Sequence, residues 1–326
     1  ALMGWRYWAL VGGSLATTLA GTLLTFFYCP WLPERWQKGT GARQMLTFGG
    51  HLTGFNFVNY FSRNADAILI GREFGAQALG IYGKAYNLLT LPIWMVSGPL
   101  SGVAVPAMSR LAVDRDRLHR YYLRILRMLS LITGPIAGIS YVASNEIVSI
   151  LLGPRWSPAG EVFKYLAISG LLQPLYNTQA WLHLAVGRSD RVFRWGLIGT
   201  PIIVTSFVVG LLWGINGVAL CYSMAIIIVS AGSLWYAGRS AGLSFRRILG
   251  AVYKPILSCV VAVSITSVLA WFISADSSFA ALVGKSVAFL FAYVLALLSF
   301  YRGFAFVDDL AAAVGAFAGR REMVKI

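Results

Sequence analysis

The stretch FGGHLTGFNFVNYFSRNADAILIG, residues 48–71, is the most informative part of the chain. Asn56, Asn59, Arg63 and Asp66 follow one another at intervals of three, four and three, so a helix through this stretch aligns all four on one face. Phe55, Phe57, Val58, Phe61, Ile68 and Leu69 occupy the remaining faces. A charge well inside a bilayer costs on the order of a few kcal/mol and persists mainly where it faces a bundle interior or a watery cavity. The stripe is therefore a functional candidate. Two plainer readings stand beside it. Arg63 and Asp66 lie in the last third of the helix, where an Arg can snorkel to the headgroups and an Asp three residues on can pair with it. Asn56 and Asn59 lie nearer the middle, where snorkelling does not explain them, although both can act as interhelical hydrogen-bonding glue.

The rest of the composition sets the context of that helix. Of 326 residues, 58% are hydrophobic and 12% charged, and a soluble domain covering its surface with polar groups would not show such values. An all-α, polytopic transmembrane bundle is expected. The net charge of +15 does not point to nucleic acid, because the basic residues sit between apolar runs and not on one soluble face. Cys29, Cys221 and Cys259 are far apart and fall in or at the edge of apolar spans, so they form neither a disulfide framework nor a zinc motif.

About twenty apolar residues cross the hydrocarbon as a helix, and on that measure about nine spans are expected. The first runs from residue 7 to 29 and ends at a CPWLP turn, followed by a basic link, 34–43. The striped helix, 44–70, is the second, and a GREFG turn leads to the third, 76–106. This third span carries Pro92, Pro99 and Pro106 at heptad intervals, so their kinks recur on nearly one face and make it a candidate bending or gating helix. A basic loop leads into a fourth span reaching about residue 152, and the fifth, 159–187, carries Gln173, Pro174 and Asn177. The uncharged run 195–238 is too long for one span, and WGING at 213–217 is the natural hairpin between a sixth and a seventh. The eighth covers 253–275 and the ninth 279–301. In the tail, 303–326, the spacing of Phe306, Leu310, Val314 and Phe317 predicts an amphipathic helix on the membrane surface.

Loops rich in Lys and Arg stay in the cytoplasm. With the 34–43 link inside, 20 of the 27 basic residues fall on inside segments and 6 outside, Arg63 lying within a span. This predicts an outside N-terminus and an inside C-terminus. No start methionine, basic n-region or cleavage site precedes Ala1, and nine spans with an outside start lead us to expect a preceding N-terminal portion.

Several motifs in order, from residue 46 to 238, resemble a known family. They are FGGHLTGFNFVNYFSRNADAILIGREFGAQALGIYGKAYNLLTLPI, then PAMSRL, then SILLGPRWSPA, then AVGRSD. As a set they are similar to the polysaccharide transporter family, bacterial oligosaccharide-lipid flippases of the superfamily that also holds multidrug extruders and the lipid II flippase. The resemblance implies two six-helix lobes facing across a cavity. On that template residues 1–43 are the last helix of a first lobe with its linker, 44–240 a complete six-helix lobe, 241–302 two extra helices and 303–326 the tail. The implied function is translocation of a polyprenyl-diphosphate-linked oligosaccharide across the bacterial inner membrane, for O-antigen, capsule or exopolysaccharide. The implied partners are that lipid-linked oligosaccharide, membrane lipids, the preceding lobe of the same protein and the polysaccharide polymerase or export machinery.

A glycan and a diphosphate need a watery, partly cationic cleft. Arg63 and Lys84 are the basic candidates near it, and Asn56, Asn59, Asn87, Gln173 and Asn177 the candidates for hydrogen bonds to sugar hydroxyls. Tyr82 and Tyr86 can stack on sugars, although enrichment of Tyr at membrane interfaces accounts for them more simply. An enzyme is not expected. His51, His119 and His183 are isolated from one another, no P-loop is present, and of twelve acidic residues only Asp66 and Glu146 lie within spans. Neither a cofactor nor a metal is implied. A small-solute or drug exporter of the same superfamily is the alternative reading, and a membrane glycan polymerase or ligase the more distant one.

Overall fold

The computed structural model describes residues 8–29, 42–271 and 278–301. The side chains at 9, 10, 42–44 and 63 lie outside the described set. So do the expected CPWLP turn beyond Cys29, the basic link up to residue 41, and the amphipathic tail. The chain divides into two compact units, Ala1–Met45 and Leu46–Ile326. In the first, α1 (Trp8–Tyr28) satisfies its hydroxyls internally: Thr17, Thr18, Thr22 and Thr25 each donate to the carbonyl four residues earlier. A polar side chain in an apolar helix thereby conceals its donor.

The remaining helices are α2 (Ala42–Leu111), α3 (Arg115–Val142), α4 (Ser144–Leu151), α5 (Ala159–Ala185), α6 (Ser189–Gly210), α7 (Gly214–Ala241), α8 (Phe245–Leu269) and α9 (Ser278–Tyr301). Among the described residues there is no strand. Among the described residues six stretches are long and apolar enough to cross a membrane, and two of them, 45–111 and 189–241, contain two helical limbs each. α5 is not one of the six. It carries Gln173, Asn177, Gln179 and His183, yet it packs heavily on both α3 and α7. A helix surrounded by other helices can be more polar than one facing lipid.

The breaks have local causes. α2 is a single helical run except at Gly75, whose φ of 78° and ψ of −179° are open to glycine alone. The turn expected over five residues is thus one residue long, and Arg72 and Glu73 remain helical. The WGING hairpin is present as a short 3-10 turn, Leu211–Trp213, followed by Gly214 at φ 73°. There the backbones of α6 and α7 come so close that a Cβ on Gly210 would lie 2.5 Å from the Val218 Cα.

Two expected boundaries shift. The basic loop before the fourth span is mostly helix. Asp114 caps α3 by accepting the Arg117 backbone N–H at 3.1 Å, so Arg115 to Arg127 stand on the first turns of α3. α3 ends at Val142, and the segment expected to continue it is the separate α4.

The Leu46–Ile326 unit is held by three apolar clusters. One joins the second limb of α2, residues 76–111, to α4, α5, α6 and α7 around Leu89, Phe163, Leu166 and Val218. The second joins the end of that limb to α3, α5, α7 and α8 around Met108, Leu126 and Ile248. The third seats α9 on α3 and α8, with Phe289 against Gly138 and Tyr293 against Gly134. Small residues at these crossings let helices approach where lipid offers no hydrophobic driving force. Gly196 takes the Phe55 ring, Gly54 takes Phe193 and Gly170 takes Leu89, so both limbs of α2 dock through glycine seats on α5 and α6 or on α2 itself.

Candidate functional site

The stripe of α2 meets α5 at two adjoining cavities. The larger, about 350 Å³, is bordered by Asn56 and Asn59 from the first limb of α2, Trp94, Ser97 and Ser101 from the second, and Tyr176, Asn177, Gln179 and Trp181 from α5. The smaller has room for about 30 Å³, roughly one water, and is bordered by Asn59, Ser62, Asp66, Tyr86, Gln173, Tyr176, Asn177 and Tyr222. Asn59, Tyr176 and Asn177 belong to both linings.

Asp66 is 6% exposed, and one carboxylate oxygen accepts the Ala67 backbone N–H at 2.7 Å. The buried Tyr82 hydroxyl lies near that carboxylate but makes no hydrogen bond of good geometry with a protein group. Tyr82 stacks on Tyr86 with ring centroids 6.4 Å apart, Tyr86 meets Tyr222 edge-on, and Tyr222 stacks on Phe207 at 5.4 Å. Among the described side chains that line the two cavities, Asp66 alone carries a charge. Gln173 and Gln179 each have a buried amide oxygen without a protein partner, and so does the Ser97 hydroxyl. In native proteins such groups are normally paired with protein, water or ligand.

Of the candidates named from sequence, Asn56, Asn59, Asp66, Gln173 and Asn177 come together here. Arg63 is helical on the same face, and its side chain lies outside the described set. Lys84 and Asn87 border neither cavity: both are exposed, and Lys84 lies 5.8 Å from the Trp156 ring. Pro92, Pro99 and Pro106 sit inside an unbroken second limb of α2. Tyr82 is core, 2% exposed, whereas Tyr86 reaches the smaller cavity.

Sequence reasoning missed Trp94, Ser97, Gln179, Trp181 and Tyr222. The signal was present for some of them: 94, 97, 98 and 101 on α2, and 173, 177, 180 and 184 on α5, repeat the helical spacing of the stripe itself. Among the described residues no cluster of His, Cys, Asp or Glu could hold a metal ion. A larger recess of about 770 Å³ along α6 and α7 is lined mostly by side chains such as Ile202, Leu220 and Ile228, the character of a face turned to lipid.

A bundle of apolar helices enclosing a polar, amide-lined recess is the architecture of a multi-pass membrane protein. The fold agrees with a solved structure titled lipid II flippase MurJ, inward closed conformation, at a TM-score of 0.64 and 17% identity, over 87% of this chain and 60% of that one. Residues 1–161 match the profile of a family described as polysaccharide biosynthesis protein. The teichuronic acid biosynthesis protein TuaB of Bacillus subtilis (strain 168) is 32% identical over 48% of this chain and 32% of its own length. The lipopolysaccharide biosynthesis protein WzxC of Escherichia coli (strain K12) is 26% identical over 64% of this chain and 43% of its own. The amylovoran biosynthesis protein AmsL of Erwinia amylovora is 24% identical over 64% and 54%. The family match covers just under half of the chain, and the curated relatives are polysaccharide biosynthesis proteins to which this chain is similar. Its matches span about a third to a half of the length of these curated relatives.

Proposed function

We propose that this chain forms one lobe of a flippase that carries a polyprenyl-diphosphate-linked oligosaccharide across the bacterial inner membrane, in the service of polysaccharide export. The carrying observation is the pair of polar cavities, bordered by amides from α2 and α5, inside a bundle whose helices expose many large apolar side chains. A glycan can occupy such a recess while the polyprenyl tail stays in lipid. The match of residues 1–161 to a polysaccharide biosynthesis family and the flippase-like fold support the same reading.

The transport cleft then lies between this lobe and a second one supplied by the rest of the protein, and the polymerase and export proteins act on the delivered glycan. The protein is a transporter and not an enzyme. The C-terminus faces the cytoplasm, as the distribution of Lys and Arg requires. Arg63 is the cation for the diphosphate, standing one helical turn from Asp66 on the same face.

The test is complementation of a flippase-deficient strain with the full-length protein. Arg63→Ala is expected to abolish surface glycan at normal protein level, and Arg63→Lys, which keeps the charge and loses the planar fork, to retain part of it. Full glycan display by Arg63→Ala would remove Arg63 from the site, and failure of the unmodified protein with every lipid-linked glycan supplied would overturn the function.

A further inference from the structure

The larger cavity has a composition that selects among the parts of such a substrate. Two indoles border it from different helices, Trp94 on α2 and Trp181 on α5. The amides of Asn56, Asn177 and Gln179 and the hydroxyls of Ser97 and Ser101 border the same space. Two of these groups are unsatisfied: Gln179 is 1% exposed with its amide oxygen unpaired, and Ser97 is 8% exposed with its hydroxyl unpaired. A buried amide oxygen without a donor is a standing cost that a hydroxyl-bearing ligand would remove.

The charges argue as strongly. None of the described side chains bordering this cavity is a Lys or an Arg that would attract a phosphate or a carboxylate. Its neighbour, which shares Asn59, Tyr176 and Asn177 with it, contains the Asp66 carboxylate, which when ionised repels a second anion. An anion taken from water into this space would lose its hydration, and the described lining offers it amides, hydroxyls and indoles but no opposite charge. At about 350 Å³ the cavity is also at the lower end of small-molecule sites, ~300–1,000 Å³, which suits one or two sugar rings and not a whole repeat unit.

We propose that this cavity is a subsite for an uncharged pyranose of the glycan, with the diphosphate and any acidic sugar held elsewhere. A pyranose offers C–H groups that pack on indole and hydroxyls that both donate and accept, which is the pairing that two tryptophans, two serines and the amides of Asn56, Asn59, Asn177 and Gln179 supply. This assignment rests on the flippase reading for its substrate, while the binding it predicts can be measured without transport.

Two measurements on the purified full-length protein separate the two claims. In detergent, tryptophan fluorescence is titrated with a neutral trisaccharide, with a trigalacturonate and with inorganic pyrophosphate. In proteoliposomes, flipping is followed for polyprenyl diphosphate bearing a neutral trisaccharide, bearing a trigalacturonate, or bearing no sugar. The neutral trisaccharide is expected to bind at least tenfold more tightly than the trigalacturonate. Trp94→Ala, at a side chain 61% exposed whose loss leaves the core intact, is expected to weaken that binding at least fivefold. It should slow flipping of the neutral-glycan lipid in proportion and leave the sugar-free lipid unaffected. Gln179→Leu should act in the same direction, and Trp181→Phe, which keeps a stacking ring, should retain most of the affinity. Equal or tighter binding of the trigalacturonate, or unchanged neutral-sugar binding in both Trp94→Ala and Gln179→Leu, would overturn the subsite. Sugar binding without flipping of any of the three lipids would overturn the flippase reading and leave the subsite standing.

Discussion

Asp66 concentrates the chemistry of the smaller cavity. Its carboxylate is buried against Tyr86, Tyr222 and Gln173 and is held by one backbone N–H. A charge kept in so small a space interacts with whatever enters the adjoining recess. Removing one charge-assisted hydrogen bond costs roughly 1.5–3 kcal/mol, so Asp66→Asn, which preserves shape and loses charge, is expected to lower glycan display about tenfold at unchanged protein level. Quantitative surface-glycan staining normalised to membrane protein checks this, and full display would mean that the carboxylate serves only packing. Its neighbours differ in legibility. The spacing of Asn56, Asn59, Arg63 and Asp66 was readable because a helix period is a property of one segment. Trp94 shares a helical spacing with Ser97 and Ser101, but that Trp94 and Gln179 turn toward the stripe was not readable, because nothing local tells which face of α5 or of the second limb of α2 meets it.

At the scale of elements, α9 is tied into the bundle by an ion pair and by ring seats. Lys285 donates to Glu146 at 2.6 Å, joining α9 to the first turn of α4, with both side chains less than one-fifth exposed. Tyr293 donates to the Leu131 carbonyl at 3.3 Å, and the Cys259 thiol of α8 donates to the Gly134 carbonyl at 3.3 Å. Removing one member of a buried pair strands the other charge at a cost of about 3–5 kcal/mol, less here because both groups retain some exposure. Lys285→Met is therefore expected to lower the midpoint of thermal unfolding in detergent. The double variant Glu146→Gln, Lys285→Met should recover most of that loss, whereas equal destabilisation by single and double variants would show that the pair contributes nothing. The same scale holds the three prolines of α2. Pro92, Pro99 and Pro106 each withdraw a donor from the ladder while the limb stays helical, which leaves it easier to bend. Replacing all three by Ala is expected to slow flipping several-fold without reducing membrane insertion, and unchanged flipping would confine the prolines to static packing. Here the sequence placed Glu146 within a span, and the partner 139 positions away could not be read from it.

For the whole molecule, orientation is the property that most needs measurement. Single cysteines placed at Arg115 and at Gly214, on a background in which Cys29, Cys221 and Cys259 are replaced, are expected to react with a membrane-impermeant maleimide from opposite sides. Labelling from the same side would sink the proposed topology. The amino-acid sequence by itself determined that the chain is an all-α membrane bundle, because lipid offers no partner to the backbone and each helix must satisfy its own hydrogen bonds within an apolar run. It also determined the WGING hairpin and the break near residue 75, since both rest on glycine at positive φ. Only the tertiary structure decided that the stripe of α2 meets α5, that Lys84 and Asn87 stand outside the cavities, and that two tryptophans and an unpaired buried glutamine complete the recess. The physical reason is that helix-to-helix contact depends on where glycines such as Gly170 and Gly196 let a distant ring or branched side chain approach, and that pairing is set by the fold of the whole chain.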